Sequence, residues 1–326
     1  MIMLYPFTFE PLLKEVIWGG SDICPFKGIT PVKKTIGESW EISNVEGNDS
    51  LVANGSLKGQ SLTELIEDYG ENLVGEKVMS RFGTTFPLLI KFIDAQKDLS
   101  IQVHPDDKLA EKRHHSFGKT EMWYVIHATG DAALYSGFSK AIDADDYVKR
   151  IQNNTFMETL NRFKVNKGDV FFIPAGRVHA IGAGCFVAEI QQTSNITYRI
   201  YDYDRRDAAG NARELHTELA KDAINYTLED DYKTTYTPKA NTPVNIANCP
   251  YFNTNLLDID QQIIRNHTEL DSFVIYICME GSLTLTDDND FNVTLRKGQT
   301  VLVPALNKKV KLTPSTKAKI LETYIA

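Results

Sequence analysis

Residues 168–179, with the sequence GDVFFIPAGRVH, contain the pattern that decides the fold. A run of four apolar residues, Val170–Ile173, lies between a Gly-Asp pair and a Pro-Ala-Gly turn, and His179 follows three residues after Gly176. Aromatic and β-branched residues bounded by glycine and proline favour a short strand with a tight turn at each end. The stretch therefore predicts closely connected β-strands.

Similar apolar runs recur on both sides of this stretch, at residues 86–93 (FPLLIKFI), 99–103 (LSIQV), 122–126 (MWYVI) and 185–190 (CFVAEI). Helical patterns appear in three segments, which are residues 61–69, 143–153 and 214–226. In the first of them Glu64 follows Ser61 by three residues, which is typical of a capping box. We therefore predict an all-β core with helical insertions, rather than alternating β-α-β units.

Polar side chains occur on these strands where a packed core would need leucine or valine. Because residues two apart on a strand share a face, Ser100, Gln102 and His104 point the same way, and so do Lys119 and Glu121. Burying such groups without partners inside a barrel would be unfavourable. A bound cation removes that penalty by giving their lone pairs a partner, and the sequence therefore predicts a metal site.

The candidate ligands are two imidazoles, one carboxylate and one amide oxygen, from His104, His179, Glu121 and Gln102. A single histidine at a strand end is more often a hydrogen-bonded residue than a ligand, so the prediction depends on the whole set. These donors suit Zn²⁺ better than Fe²⁺, Mn²⁺ or Co²⁺. The set contains no thiolate, which disfavours a closed structural zinc site, and a further open position would make the site catalytic.

A weak internal repeat predicts two units of one kind in tandem. Gly168–Pro174 matches Gly298–Pro304 in spacing and apolar pattern, and the second copy follows a Pro- and Asn-rich linker at residues 237–250. We predict a metal-binding domain over residues 1–236 and a smaller β domain over residues 237–326. In the second copy, the positions equivalent to Glu121 and His179 are occupied by Ser272 and Lys309, so we expect no metal there.

Composition limits the possible partners and location. The net charge of −8 argues against a general nucleic-acid surface. The sequence contains no run of about 18 apolar residues, the length that a membrane span requires, and the N-terminus has no signal-peptide pattern. The four cysteines are scattered without a CxxC pair, which favours a reducing compartment. We therefore expect a cytoplasmic protein that binds neither nucleic acid nor membrane; the sequence does not predict an oligomeric state.

The motifs resemble those of the type I mannose-6-phosphate isomerases, in their short bacterial form, within the cupin superfamily. Residues 168–179 resemble the second cupin motif, and residues 100–106 (SIQVHPD) with 119–121 (KTE) resemble the isomerase version of the first. The resemblance covers most of residues 5–220. Further matching segments are residues 18–20 (WGG), 38–43 (ESWEIS), 87–95 (PLLIKFIDA) and 189–205 (EIQQTSNITYRIYDYDR).

The resemblance implies two tandem cupin jelly-roll barrels, the second degenerate. It also implies zinc-dependent interconversion of mannose 6-phosphate and fructose 6-phosphate through an enediol-type intermediate. The implied residues are Gln102, His104, Glu121 and His179 as ligands of one Zn²⁺ per chain, Arg199 in the active site, and Lys91, Ser100, Lys119 and Glu189 lining the substrate pocket. Without the resemblance, Lys91 would be assigned to a strand edge and Arg199 to a surface ion pair with Asp202 or Asp204.

Two questions stay open at the level of sequence. The first is the proton-transfer base, because many relatives carry aspartate where this chain has Asn195, and asparagine cannot accept a proton at neutral pH. Glu189 is our candidate, with Glu121, metal-bound water or a lysine as alternatives. The second is the activity itself, since an iron-dependent cupin dioxygenase or a non-catalytic sugar-phosphate-binding cupin would also need a polar barrel. Dioxygenase sites usually offer more imidazole than this one.

Overall fold

The computed structural model describes residues 4–206 and 209–325 of the chain. Strands dominate this part of the protein, and helices lie between them. None of the helices in these two ranges is long and apolar enough to cross a membrane. The helices are α1 (Ile23–Lys27), α2 (Leu62–Tyr69), α3 (Glu71–Val74), α4 (Glu76–Phe82), α5 (Asp107–His114), α6 (Ala144–Gln152) and α7 (Thr217–Ala223), with a 3-10 helix at Phe156–Thr159.

All three predicted helices form, although α7 is shorter than expected. The capping box of α2 is complete, because the Ser61 hydroxyl accepts from the Glu64 N–H at 3.2 Å and the Glu64 carboxylate accepts from the Ser61 N–H at 2.8 Å. The segment 214–226 is helical only over Thr217–Ala223, since His216 is the N-cap residue and Ile224 is already extended.

The three predicted helical segments do not include residues 107–114, but α5 forms there and His114 is its last residue. The Asp106 carboxylate caps this helix by accepting from the Leu109 N–H at 2.8 Å. The His114 side chain forms a hydrogen bond with Tyr198, because its Nε2 lies 2.8 Å from the Tyr198 hydroxyl. A capped but strongly polar helix has little apolar periodicity, which is why the sequence pattern missed it.

Two antiparallel sheets enclose the first interior. Apolar side chains of both sheets, such as Trp123 and Val187 from one and Leu134 and Ile181 from the other, form a single buried core. The six-stranded sheet has the order β11 (Val170–Ile173), β8 (Glu121–Ala128), β13 (Cys185–Gln192), β6 (Leu88–Ala95), β2 (Leu12–Gly20) and β3 (Ile36–Ile42). The five-stranded sheet has the order β10 (Leu160–Lys164), β9 (Ala133–Phe138), β12 (His179–Ile181), β7 (Ile101–Val103) and β14 (Tyr198–Tyr201).

A third, eight-stranded sheet contains most of the C-terminal strands and has a separate apolar core. Its main path is β1 (Phe7–Thr8), β20 (Thr300–Val303), β18 (Val274–Thr286), β21 (Lys309–Tyr324), β16 (Asn253–Ile259) and β15 (Val244–Asn248), with β17 (Ile263–Asn266) on β21 and β19 (Asn292–Arg296) on β18. The N-terminal strand β1 thus joins the C-terminal sheet. A small hairpin is formed by β4 (Asn44–Val45) and β5 (Asn48–Asp49).

Strand pairing follows the repeat seen in the sequence. β11 pairs antiparallel with β8, and the matching segment β20 pairs antiparallel with β18. His179 opens the next strand in the first copy, and Lys309 opens the next strand in the second. A large apolar cluster, to which Phe92, Phe186 and Phe273 belong, lies between the outer face of the six-stranded sheet and the C-terminal sheet. The two copies therefore pack against each other through apolar contacts.

Removing the Ser61 cap should destabilise the protein. We expect Ser61→Ala to lower the free energy of unfolding by about 1 kcal/mol, because the backbone N–H of Glu64 in the first turn of α2 loses the hydroxyl that accepts from it. The measurement is urea-induced unfolding followed by circular dichroism. The control is Ser80→Ala inside α4, where the same change gains helix propensity and should be neutral or slightly stabilising. Equal effects in the two variants would contradict the role of the cap.

Candidate metal centre

Three short strands bring the predicted ligands to one end of the first interior. Gln102 lies on β7 directly opposite His179, the first residue of β12, and Glu121 is the first residue of β8. His104 follows β7 by one residue. One ligand atom from each of His104, Glu121 and His179 lies within 4.8 Å of the others. The predicted side chains, distant in sequence, therefore meet as a buried cluster.

The two imidazole rings are fixed by backbone carbonyl groups. His104 Nδ1 lies 2.7 Å from the carbonyl oxygen of Ile196, and His179 Nδ1 lies 2.9 Å from that of Arg177. A carbonyl oxygen only accepts, so each Nδ1 carries the proton and each Nε2 keeps its lone pair. Both Nε2 atoms face Glu121, with His104 Nε2 at 3.6 Å from Oε2 and His179 Nε2 at 3.3 Å from Oε1.

Burial keeps both rings neutral. Removal from water lowers the pKa of His104 well below its usual range, and the Lys119 ammonium lowers it further. Burial likewise lowers the pKa of His179 to about 3. Neutral rings with inward lone pairs are the form in which histidine binds a metal.

The Glu121 carboxylate is fully buried, and neither of its oxygens accepts a hydrogen bond. Burial raises its pKa to about 7, although the charge of Lys119 opposes that shift. A buried carboxylate without hydrogen bonds is unfavourable unless a cation accompanies it. Two neutral imidazoles beside this carboxylate therefore fit a divalent transition metal, with Glu121, His104 and His179 as ligands.

Lys119 places a positive charge inside the cluster. Its Nζ lies 2.9 Å from Glu121 Oε2 and 3.1 Å from His104 Nε2. The contact with Glu121 is an ion pair that does not have hydrogen-bond geometry. The side chain of Lys119 is almost completely buried. An ammonium group at this place can hold an anionic oxygen of a ligand that enters the site.

Gln102 is in place, but its amide is turned with nitrogen toward the histidines. Its Nε2 lies 3.2 Å from His179 Nε2 and 3.5 Å from His104 Nε2, while Oε1 accepts from the Ser100 hydroxyl at 3.4 Å. Metal binding through Oε1 requires rotation of the amide by about half a turn, which exchanges the positions of oxygen and nitrogen. The Ser100 hydroxyl is thus in contact with a candidate ligand.

A second group of charged residues lies next to the cluster. Lys91 Nζ is 3.4 Å from Glu189 Oε2 and 3.7 Å from Glu38 Oε2, and all three carboxylate and ammonium groups are largely buried. Burial would raise the pKa of Glu189, but Lys119 and Lys91 outweigh it, so the pKa lies below the usual range. Burial would lower the pKa of Lys91, but Glu38 and Glu189 raise it instead. Glu189 is thus ionised and Lys91 is protonated.

Arg199 lies opposite Gln102 on β14, so its side chain is on the face that carries the cluster. Its Nη1 donates to the carbonyl oxygen of Glu214 at 3.1 Å, and its buried Nε has no partner. The alternative of an ion pair with Asp202 is not formed, because the carboxylate of Asp202 is bound by Arg205 and Arg213. Burial and the charge of Arg213 lower the pKa of Arg199.

Sequence reasoning missed several residues of this region. Trp123 donates from Nε1 to Glu189 Oε1 at 3.0 Å, and Trp40 donates from Nε1 to Glu38 Oε2 at 2.6 Å. Trp123 is two residues after Glu121 on one strand, so strand alternation could have identified it. Glu38 and Trp40 lie in the segment ESWEIS at residues 38–43. The sequence of that segment does not indicate that these two side chains face the site.

Comparison with known proteins gives consistent matches. The family model described as "Phosphomannose isomerase type I, catalytic domain" matches residues 7–121. The mannose-6-phosphate isomerase ManA of Bacillus subtilis is 42% identical over 220 residues, which are 67% of this chain and 68% of that protein. YvyI of Bacillus subtilis is 36% identical over 303 residues, 92% of this chain and 93% of that protein.

The structural comparison agrees with the sequence matches. The crystal structure of the mannose 6-phosphate isomerase from Bacillus subtilis has a TM-score of 0.87 and 34% sequence identity, covering 98% of this chain and 99% of that chain. The high identity over most of both chains, together with the buried His-Glu-His cluster, shows that this protein belongs to the family of type I mannose-6-phosphate isomerases.

Proposed function

We propose that this protein interconverts mannose 6-phosphate and fructose 6-phosphate in a zinc-dependent aldose–ketose isomerisation. The observation that carries the proposal is the buried cluster of His104, Glu121 and His179 in a member of this family. We assign one Zn²⁺ per chain to these residues and Gln102. When bound, the cation polarises sugar oxygens as a Lewis acid and holds them in register.

Glu189 is our choice for the proton-transfer base. Isomerisation through an enediol-type intermediate moves a proton between C1 and C2, which requires an ionised group beside the sugar. Glu189 is ionised because Lys91 and Lys119 stabilise its charge, and Trp123 fixes one of its oxygens. Its other oxygen, Oε2, has no hydrogen-bond partner and lies 3.4 Å from Lys91 Nζ. Glu121 is less suitable, because it would be occupied as a ligand.

The phosphate and the developing oxyanion require positive charge, which Lys119, Lys91 and Arg199 supply. Arg199 has no carboxylate partner of its own, since Asp202 is shared between Arg205 and Arg213. Its charge is therefore available to an anionic ligand. We assign Arg199 to stabilisation of the reacting sugar phosphate, and Lys91, Ser100 and Lys119 to substrate binding.

We also propose two tandem cupin-like units with a boundary near residue 236. The support is the matching antiparallel pairing of β11 with β8 and of β20 with β18. Ser272 and Lys309 stand where the first unit has Glu121 and His179, so the second unit is proposed to bind no metal at that place. The four cysteines are free, which is consistent with the proposed cytoplasmic location.

Removal of the metal should abolish turnover. Purified protein is supplied with fructose 6-phosphate, and mannose 6-phosphate is followed by a coupled assay before and after dialysis against a chelator. We expect activity to disappear and to return with added Zn²⁺, because the buried ligands hold the cation that polarises the sugar. Binding of sugar phosphates without turnover in metal-replete protein would favour a non-catalytic cupin, and stoichiometric iron with oxygen consumption would favour a dioxygenase.

Replacement of one ligand should remove both metal and activity. We expect His104→Ala to lower kcat/KM by more than roughly a hundredfold and to lose zinc by elemental analysis, because even outer-shell changes at metal sites cost about ten- to a hundredfold. The control is His127→Ala, which changes an exposed histidine near the end of β8, away from Glu121 at its start. A His104→Ala protein that keeps its zinc and its activity would show that the site is elsewhere.

Replacement of the proposed base should separate catalysis from metal binding. Glu189→Gln keeps the shape and the acceptor for Trp123 but cannot take a proton, so we expect kcat to fall by about a hundredfold or more with unchanged zinc content. The matched control is Glu322→Gln, which alters an equally buried glutamate paired with Arg265 in the C-terminal sheet. It should lower the unfolding temperature and leave kcat unchanged. An active Glu189→Gln enzyme would transfer the role of base to another group.

A further inference from the structure

Ser136 is a buried residue of the site that neither the motifs nor the ligand set includes. It lies on β9 directly opposite His179, and directly opposite residues of an antiparallel pair share a face. Leu134, next along that face, belongs to the apolar core enclosed by the two sheets. Ser136 is completely buried, and its hydroxyl has no hydrogen-bond partner. The hydroxyl therefore points into the interior beside a candidate metal ligand.

Gln191 gives a second observation of the same kind. It lies opposite Glu121 on β13 and is also completely buried. Its Nε2 donates to the carbonyl oxygens of Gln192 at 2.8 Å and Ser194 at 2.7 Å, which fixes the orientation of the amide. Its Oε1 is left without a partner. Gln191 thus presents a fixed acceptor on the same face as the cluster.

Unpartnered buried polar atoms are concentrated at this site. In the part of the chain that the structure describes, ten buried side-chain atoms lack a partner, and six of them belong to Glu121, Ser136, Glu189, Gln191 and Arg199. A cation would satisfy Glu121, and an anion would satisfy Arg199. Ser136 and Gln191 are neutral and lie beside ligands rather than among them. Buried polar groups of this kind need a hydrogen-bonding partner, and a neutral hydroxyl can serve for both.

We propose that Ser136 Oγ and Gln191 Oε1 bind hydroxyl groups of the sugar substrate. The inference rests on the proposed function and extends it to residues that determine how the sugar is held. A sugar hydroxyl can donate to the fixed oxygen of Gln191, and it can donate to or accept from the Ser136 hydroxyl. Neither residue carries charge or takes part in proton transfer, so their contribution is to binding.

The variant Ser136→Ala tests this role. We expect KM for fructose 6-phosphate to rise about three- to tenfold with kcat within about twofold, because a hydrogen bond made equally in the ground and transition states affects KM alone. Zinc content should be unchanged, and the unfolding temperature should be unchanged or higher, because the variant removes an unsatisfied buried hydroxyl. A fall in the unfolding temperature or an unchanged KM would overturn the proposal.

Thr300→Val is the matched control. Thr300 also has a buried hydroxyl without a partner, but it lies on β20 in the C-terminal sheet. This isosteric change also removes an unsatisfied buried hydroxyl, so the unfolding temperature should be unchanged or higher, and KM should not change. If both variants raise KM equally, the effect of Ser136→Ala does not come from contact with the sugar, and the proposal fails.

Binding of analogues separates this proposal from the proposed function. The probes are hexitol 6-phosphate, which cannot isomerise, and its derivatives that each lack one hydroxyl, titrated calorimetrically into zinc-loaded protein. The parent compound should bind Ser136→Ala about three- to tenfold more weakly than wild type, and one deoxy derivative should bind both proteins equally. Strictly additive losses across the series would refute a hydroxyl contact. Absence of wild-type turnover would instead refute the isomerase.

Discussion

The Glu121 carboxylate is the group on which the arrangement of the site depends. It is completely buried, accepts no hydrogen bond, and is flanked by the Nε2 atoms of two histidines at 3.3 and 3.6 Å. An ionised carboxylate in such surroundings needs positive charge nearby. The Lys119 ammonium supplies part of it at 2.9 Å, but it also faces the lone pair of His104 at 3.1 Å. A divalent cation would satisfy the carboxylate and both imidazoles together.

The sheets determine where these side chains lie, and the neighbouring turns determine how the rings face. His104 and His179 reach the cluster from β7 and β12, but each ring is oriented by a carbonyl group, that of Ile196 before β14 and that of Arg177 before β12. The orientation is therefore fixed without any charged partner on Nδ1.

Much of the site could be predicted because strand alternation is a local property. The shared face of Gln102 and His104, and the pair Lys119 and Glu121, follow from a period of two, and the structure brings all four together. Ser136 could not be predicted in this way, because its position beside His179 depends on the register between two strands that are distant in sequence. Register is decided by the packing of the whole interior.

The fold shows the same division between local and distant information. The five apolar runs all contribute strands, and the capping box locates the start of α2. Strand β1 carries no comparable signal, because Phe7–Thr8 becomes a strand only by pairing with β20 almost at the other end of the chain. The orientation of the Gln102 amide is likewise set by its neighbours in space.

The C-terminal sheet shows that strand pairing alone does not create an open site. Glu322 is as buried as Glu121, but it accepts from Arg265 at 2.7 and 2.8 Å and from Asn255 at 2.9 Å. Burial raises the pKa of both glutamates, yet the guanidinium of Arg265 reverses the shift at Glu322, whereas Glu121 remains raised to about 7. A two-pronged guanidinium satisfies a carboxylate completely, while a lysine outside hydrogen-bonding direction does not. Glu121 therefore keeps the free oxygens that a metal site needs, and Glu322 has none to offer.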